Sequence, residues 1–253
     1  MQYVLVTAGA SGIGKAMVEA FIARGDCVAA VDLDPSALEQ MRQAHPEHIF
    51  ECLDIADEGA VDALFQRLQQ RWGRLDVVCA NAGTAGPAGA VETLDYSAWQ
   101  ACHAVNVGGA FLTARGAAAI FKQQRSGLLL FTSSTAGLMG YPYRSAYASA
   151  KWAVIGMMET LAMELGEHGI RVNALCPGAV EGERMDAVIA AEAAAKDLPE
   201  QQVREFYVRG VSMKTWVKAE DIANTALFLA SPGGNKISGQ AISIDGNTET
   251  LAP

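Results

Sequence analysis

The sequence predicts an α/β protein: a doubly wound parallel sheet of about seven strands, with helices on both faces, in a single domain over 1–253. Three observations predict it. Short apolar runs of strand length alternate with longer amphipathic stretches, the pattern of a parallel sheet covered on both sides. A glycine cluster lies between the first such run and the first amphipathic stretch. No Pro/Ser-rich linker or second composition regime divides the chain, and a further strand near the C-terminus completes the sheet only at the end.

The elements follow in order. "YVLVT" (3–7) is the first strand, and the periodic segment 12–24 the first helix. "CVAAVD" (27–32) leads into "DPSALEQ", where Asp34, directly before Pro35, is placed to cap a helix. "HIFECLD" (48–54) precedes a helix over 57–71, and "LDVVCA" (75–80) precedes a long one over 97–122. "GLLLFTS" (127–133), a helix over 145–166, "RVNALC" (171–176), a helix over 219–230 and "QAISID" (240–245) complete the pattern. The segment 181–215 breaks the alternation with a more charged insertion after a strand's carboxyl end, where a substrate lid would sit.

Composition narrows the function. With 51% apolar residues the chain has ample material for a core. Nineteen basic against 28 acidic residues leave a net charge of −9, which argues against nucleic-acid and anionic-membrane partners and favours a small molecule. Five scattered cysteines without a CxxC pair point to a reducing compartment. The opening "MQYVLVTAGA" shows no basic leader, and no apolar run reaches 18 residues, so the expectation is a soluble, cytoplasmic protein.

"VLVTAGASGIGKAM" places Gly9, Gly12 and Gly14 between strand and helix. Glycines there let the backbone turn tightly and approach a pyrophosphate, which the helix N-terminus then holds. Asp32, twenty residues after Gly12 at the end of the second strand, can accept hydrogen bonds from ribose hydroxyls and would repel a 2′-phosphate. Leu33 follows it, and no Arg or Lys occupies the turn before Gly12, so the expected cofactor is NAD(H) over NADP(H).

With these residues in view, the chain resembles the short-chain dehydrogenase/reductase (SDR) family over nearly its whole length. "TAGASGIG" (Thr7 to Gly14) resembles the family's TGxxxGxG, with Ala8 in place of the first glycine. "LDIAD" matches the adenine-contacting Asp and its hydrophobic neighbour, here Asp54 and Ile55; "ANAG" carries the family's NAG as Asn81, Ala82 and Gly83. "VNVGGAF" supplies Asn106, "FTSSTAG" supplies Ser134, and Tyr147 with Lys151 forms the YxxxK pair, thirteen residues after that serine. "CPGAV" resembles the PG motif facing the nicotinamide, with Gly182 where a threonine often stands, and "ISGQAISIDG" resembles the closing strand, with Asn247 where a second glycine is common.

The resemblance implies a Rossmann-like catalytic domain. It implies cofactor contacts from Thr7, Ser11, Gly12, Ile13, Gly14, Asp32, Leu33, Asp54, Ile55, Asn81, Ala82, Gly83, Tyr147, Lys151, Pro177, Gly178 and Val180, and a homotetramer paired through 97–122 and 145–166.

The chemistry of the pair is explicable on its own. A phenol with a pKa of about 10 is a poor base at neutral pH, and an ammonium within a few ångströms stabilises its phenolate. Residues at i and i+4 share a helix face, so Tyr147 can trade a proton with an alcohol while Lys151 tunes it. The resemblance adds Ser134 as the donor that orients the substrate oxygen, and Asn106 as the holder of a water leading from Lys151 to solvent. Small neighbours in "SAYASAK" leave room for cofactor and substrate.

The expected activity is NAD-dependent oxidation of a small secondary alcohol, or reduction of a ketone. Arg144 and Arg184 are candidates to bind an anionic group on it; loop arginines paired with Glu181 or Glu183 are the alternative. Tyr141, Tyr143, Phe206, Tyr207 and Trp216 line the pocket or seat the lid. Two other functions compete: a 3-oxoacyl-type NADPH reductase, disfavoured by Asp32, and a non-catalytic dinucleotide sensor, disfavoured by the intact Asn106, Ser134, Tyr147 and Lys151 set. A serine hydrolase lacks its GxSxG elbow, and no His/Cys/carboxylate cluster has metal-ligand spacing.

Overall fold

In the computed structural model, which describes residues 1–251 except the side chains of Arg184, Ala191, Ala195 and Lys196, the apolar runs pair side by side and all in parallel. The strands are β1 (Tyr3–Thr7), β2 (Cys27–Asp32), β3 (Ile49–Cys52), β4 (Val77–Ala80), β5 (Gly127–Thr132), β6 (Ile170–Pro177) and β7 (Ala241–Ile244). Their order across the sheet is β3-β2-β1-β4-β5-β6-β7. The order reverses between β1 and β4, so a crevice opens there at the carboxyl ends of the strands.

Both faces are covered, as the unbroken apolar strands require. On one face α1 (Gly12–Ala23), α2 (Pro35–Ala44) and α9 (Ala219–Leu229) bury Met17, Val18, Phe21, Leu38, Ile222 and Leu229. On the other, α3 (Glu58–Trp72), α5 (Ala110–Gln124) and α6 (Ser145–Gly166) bury Leu64, Phe65, Ala117, Phe121, Val154 and Met158. Asp34 caps α2 as expected, accepting from the amides of Ser36 and Ala37 at 2.9 and 3.1 Å.

The helix expected over 97–122 runs from Tyr96 to Gln124 but is not regular. α4 (Tyr96–His103) passes into a wide π-type stretch, Ala104–Gly109, before α5 resumes. By length and composition the whole would suit a membrane span, but half of its most apolar window is buried inside the domain. The stretch ends at Gly109, which lies so close to Ile55 that a Cβ there would stand 2.7 Å from Ile55 Cγ2.

The 181–215 segment forms two helices, α7 (Glu183–Lys196) and α8 (Glu200–Arg209), around a small core of Ile189, Ala193 and Val203. Its exit is stitched to the C-terminal strand's tail, with Ser212 N donating to Asn247 O (2.9 Å) and Glu249 N to Gly210 O (2.7 Å).

Candidate functional site

The turn after β1 is built for close approach. Ala8, standing where the SDR-type motif carries its first glycine, adopts φ +51, and Gly12 adopts φ +50. A Cβ on Gly14 would lie 1.9 Å from Ala8 O, so glycine is obligatory where α1 begins. Gly12 faces open space, with nothing within 4 Å of a built Cβ. Ser11, the cap residue of α1, makes no side-chain cap bond, so the first amides of the helix, at Gly12, Ile13 and Gly14, lack that partner. A left-handed alanine stores strain. Ala8→Gly is therefore expected to stabilise the fold by about 0.5–1 kcal/mol after its own entropic cost, a rise of about 1–4 °C in Tm on thermal unfolding.

Thr7 and Asn81 lock this turn to the sheet. Thr7 Oγ1 accepts from the amides of Asn81 and Ala82, both at 2.9 Å. The Asn81 side chain donates to Thr7 O (3.1 Å) and Ala8 O (3.3 Å) and accepts from Thr132 Oγ1 (3.0 Å), so one amide joins the ends of β1, β4 and β5. Both residues therefore act by bracing the turn with their polar side-chain atoms.

Asp32 is fixed at the end of β2. One carboxylate oxygen accepts from Ala10 N (3.0 Å), the other from the amides of Leu33 (2.7 Å) and Asp34 (3.2 Å). Asp54 is exposed and accepts from Ala56 N (2.9 Å), whereas Ile55 is buried against Gly109.

Deeper in the crevice Lys151, Tyr147, Ser134 and Asn106, the candidate catalytic residues of the sequence, are placed by α6, the end of β5 and the π stretch. Lys151 is 3% exposed on α6, its Nζ donating to Thr132 O at 2.9 Å and standing 5.6 Å from the Tyr147 ring centroid. Ser133 Oγ pins the Lys151 backbone by donating to its carbonyl (3.0 Å). The Tyr147 hydroxyl makes no hydrogen bond among the described residues. Ser134 Oγ accepts from Ala136 N (3.1 Å), which leaves its own proton for a ligand.

Asn106, 1% exposed, sits in the π stretch and spends its amide donors on Thr84 O (3.0 Å) and Cys102 O (2.9 Å). Its Oδ1 is buried without a hydrogen-bond partner. A Cβ on Gly83 would meet that oxygen at 2.6 Å and Lys151 Nζ at 3.1 Å, so Gly83 clears the space that the two groups share. Burial pushes the nearby Cys176 thiol up to about 11, so it stays protonated.

Beyond β6, Gly178 packs so tightly that a Cβ would fall 2.8 Å from Asp245 Cβ, and its amide donates to Ile244 O (3.0 Å). Val180 follows Pro177 and Gly178 and pairs in parallel with Val217. The Val217 peptide takes the amide of Glu181 and the carbonyl of Ala179, both at 2.9 Å, which turns the N–H and C=O of Val180 the other way. Gly182 adopts φ +136, a conformation closed to the threonine found there in SDR-type chains.

Arg144 lies in the cleft, its guanidinium carbon 5.5 Å from the Tyr147 ring and 5.8 Å from the Tyr141 ring. Arg184 is in the first turn of α7, and its side chain lies outside the described residues. The lid meets the cleft through Tyr207, whose hydroxyl lies 3.1 Å from that of Tyr141 and donates to Glu192 at 2.7 Å. Burial pushes both phenols above their usual range, so they stay neutral. Sequence reasoning missed Thr132, Thr84 and Cys102, which act through backbone carbonyls that any residue type carries.

Known proteins match this chain over nearly its whole length. A family profile described as enoyl-(acyl carrier protein) reductase matches residues 7–247. The 2-(R)-hydroxypropyl-CoM dehydrogenase of Xanthobacter autotrophicus is 32% identical over 249 residues, covering 96% of each chain. The sorbitol dehydrogenase of Cereibacter sphaeroides is 32% identical over 244 residues, 96% of this chain and 95% of its own. The crystal structure of an NAD+-bound xylitol dehydrogenase superposes with a TM-score of 0.92 at 25% identity, covering 97% of this chain and 98% of that one.

Proposed function

Because the chain belongs to the short-chain dehydrogenase/reductase family, we propose that it is an oxidoreductase using NAD(H) to interconvert a small secondary alcohol and its ketone, with Tyr147 carrying the proton. One observation carries this reading: a buried ammonium, Lys151, stands beside a phenol whose hydroxyl is left for a ligand.

The residues present fit a dinucleotide. Gly14 keeps clear the space a Cβ would fill, Gly12 fronts an open crevice, and the uncapped start of α1 offers amides to a pyrophosphate. Asp32 would hold the adenosine ribose, with Leu33, Asp54 and Ile55 around the adenine. Pro177, Gly178 and Val180 would border the nicotinamide, and the outward peptide groups of Val180 replace the hydroxyl missing at Gly182 as carboxamide partners. A nicotinamide held there supplies the hydride acceptor in oxidation and the donor in reduction.

This chain's own residues then move the proton. Ser134 donates its hydroxyl proton to the substrate oxygen and fixes it against Tyr147. Tyr147 accepts the alcohol proton during oxidation and returns it during reduction, the phenolate being stabilised by the Lys151 charge. The orphan Asn106 Oδ1 supports a water between itself and Lys151 Nζ, giving the proton a way out. The α7–α8 segment, touching Tyr141 through Tyr207, is the lid over this cleft. Phe111 and Trp152, each 51% exposed on α5 and α6, suit pairing between copies in a tetramer.

An absorbance screen for NADH formation or consumption over a panel of alcohols and ketones tests the reading. Turnover of none of them, with NADH bound, would replace it with a sensor function. Cofactor choice has its own test. Asp32→Asn keeps the shape but removes the charge, and is expected to narrow the NADH-over-NADPH affinity ratio by about tenfold or more in fluorescence titrations.

A further inference from the structure

Among the described residues, Arg144 is a charged side chain near Tyr147 with no ion pair. Arg144 closes the loop between β5 and α6, three residues before Tyr147. The backbone leading to it is constrained: Tyr143 adopts φ +61, unusual for a bulky residue, and its carbonyl accepts from Gly89 N at 2.9 Å. Arg144 N donates to Tyr141 O at 3.2 Å, closing a turn. The guanidinium is thereby carried against the rings of Tyr141 and the catalytic Tyr147.

Its hydrogen bonding is unfinished. Nη2 donates to Ala85 O at 3.1 Å, but Nε is buried with no partner, and Arg144 forms no ion pair among the described residues. Glu192, the carboxylate that reaches this wall from the lid, is engaged by the Tyr207 hydroxyl. Buried donors are normally satisfied, so an acceptor is missing.

We propose that the missing acceptor is a carboxylate on the substrate, which makes the alcohol a short hydroxy acid and the ketone the matching oxo acid. Arg144 is thus the residue that selects the anionic substrate. A guanidinium offers adjacent N–H groups that match the two oxygens of a carboxylate, and the neutral phenols of Tyr141 and Tyr207 keep the pair from being diluted by water. The proposal rests on the oxidoreductase reading of the same site.

The probes are 2- and 3-oxo acids of three to six carbons and their methyl esters, which keep the shape and lose the charge. The parent protein is expected to reduce an acid with NADH at a kcat/KM at least about tenfold above its ester. In Arg144→Gln the acid-to-ester ratio should fall about 10- to 100-fold, and Arg144→Lys should recover part of it. Equal losses on acid and ester, or a parent preference for esters, overturn the proposal.

Calorimetric titration of the same acids into the NADH complex separates this proposal from the activity. Arg144-dependent acid binding without turnover upholds the clasp and sinks the oxidoreductase reading. Ester turnover with no acid binding at millimolar concentration does the reverse. Absence of both overturns the two together.

Discussion

Replacing Tyr147 with phenylalanine is expected to lower kcat by about 10²- to 10⁴-fold, the usual worth of a positioned proton carrier. That is about 3–5 kcal/mol of barrier. The ring stays within 5.6 Å of Lys151 Nζ and 5.5 Å of the Arg144 guanidinium carbon, so its packing and both cation contacts survive, and only the unpartnered hydroxyl is lost. NADH binding should therefore weaken far less than turnover. Single-turnover NADH absorbance with the best substrate, beside a fluorescence titration of NADH, reads the two quantities separately. Turnover retained in the variant would mean that the proton is handled elsewhere, and the role given to Lys151 would fall with it.

Gly14→Ala is expected to be the most damaging single methyl group in the chain. Its Cβ would stand 1.9 Å from Ala8 O and 2.8 Å from Asn81 Nδ2, and a backbone carbonyl cannot rotate aside as a side chain would. The overpacking cost should sit at the upper end of its usual range, about 3 kcal/mol, or about 6–12 °C in Tm for a chain of this size. NADH affinity should fall about tenfold or more, because the displaced turn carries the amides that face the pyrophosphate. Gly12→Ala is the internal control. Gly12 shares the positive φ but has nothing within 4 Å, so the fold should lose only about 1 kcal/mol. Similar melting of the two variants would show that the turn yields more readily than its geometry indicates.

The fold was legible because its signal is periodic. Val4 to Val6, Val28 to Val31 and Leu128 to Phe131 are buried on both sides of the sheet, and such strands betray themselves as unbroken apolar runs. Strand ends were less sharp: the runs over 48–54 and 75–80 pair only at Ile49–Cys52 and Val77–Ala80. At the entry to β4, Asp76 is tied to Tyr3 twice, its amide donating to Tyr3 O and its carboxylate accepting from Tyr3 N, both at 2.8 Å.

Within the site, the pairing of Tyr147 with Lys151 was readable from spacing, since the two share a helix face, whereas Ser134, two residues past β5, could be named only through the family resemblance. The π stretch around Asn106 was not. The apolar pattern of "HAVNVGGAF" continues straight through it, and nothing in that pattern marks the stretch or its contact with Ile55, more than fifty residues away. The Thr132 carbonyl that receives Lys151 was equally hidden, because every residue presents a carbonyl and only the folded chain decides which one meets the ammonium. Arg144 could be named from the sequence, but its missing partner is visible only in three dimensions.

The Asn81 clasp has a mechanical consequence. With three strand ends tied to one amide, the floor of the crevice is stiff, and molecules entering or leaving must be let through by its roof. The proposed roof is the α7–α8 pair, whose own core among the described residues is the small cluster of Ile189, Ala193 and Val203, and which therefore costs little to deform. Under the proposed oxidoreductase reading, product escape is therefore expected to depend on the movement of those two helices rather than on flexing of the sheet.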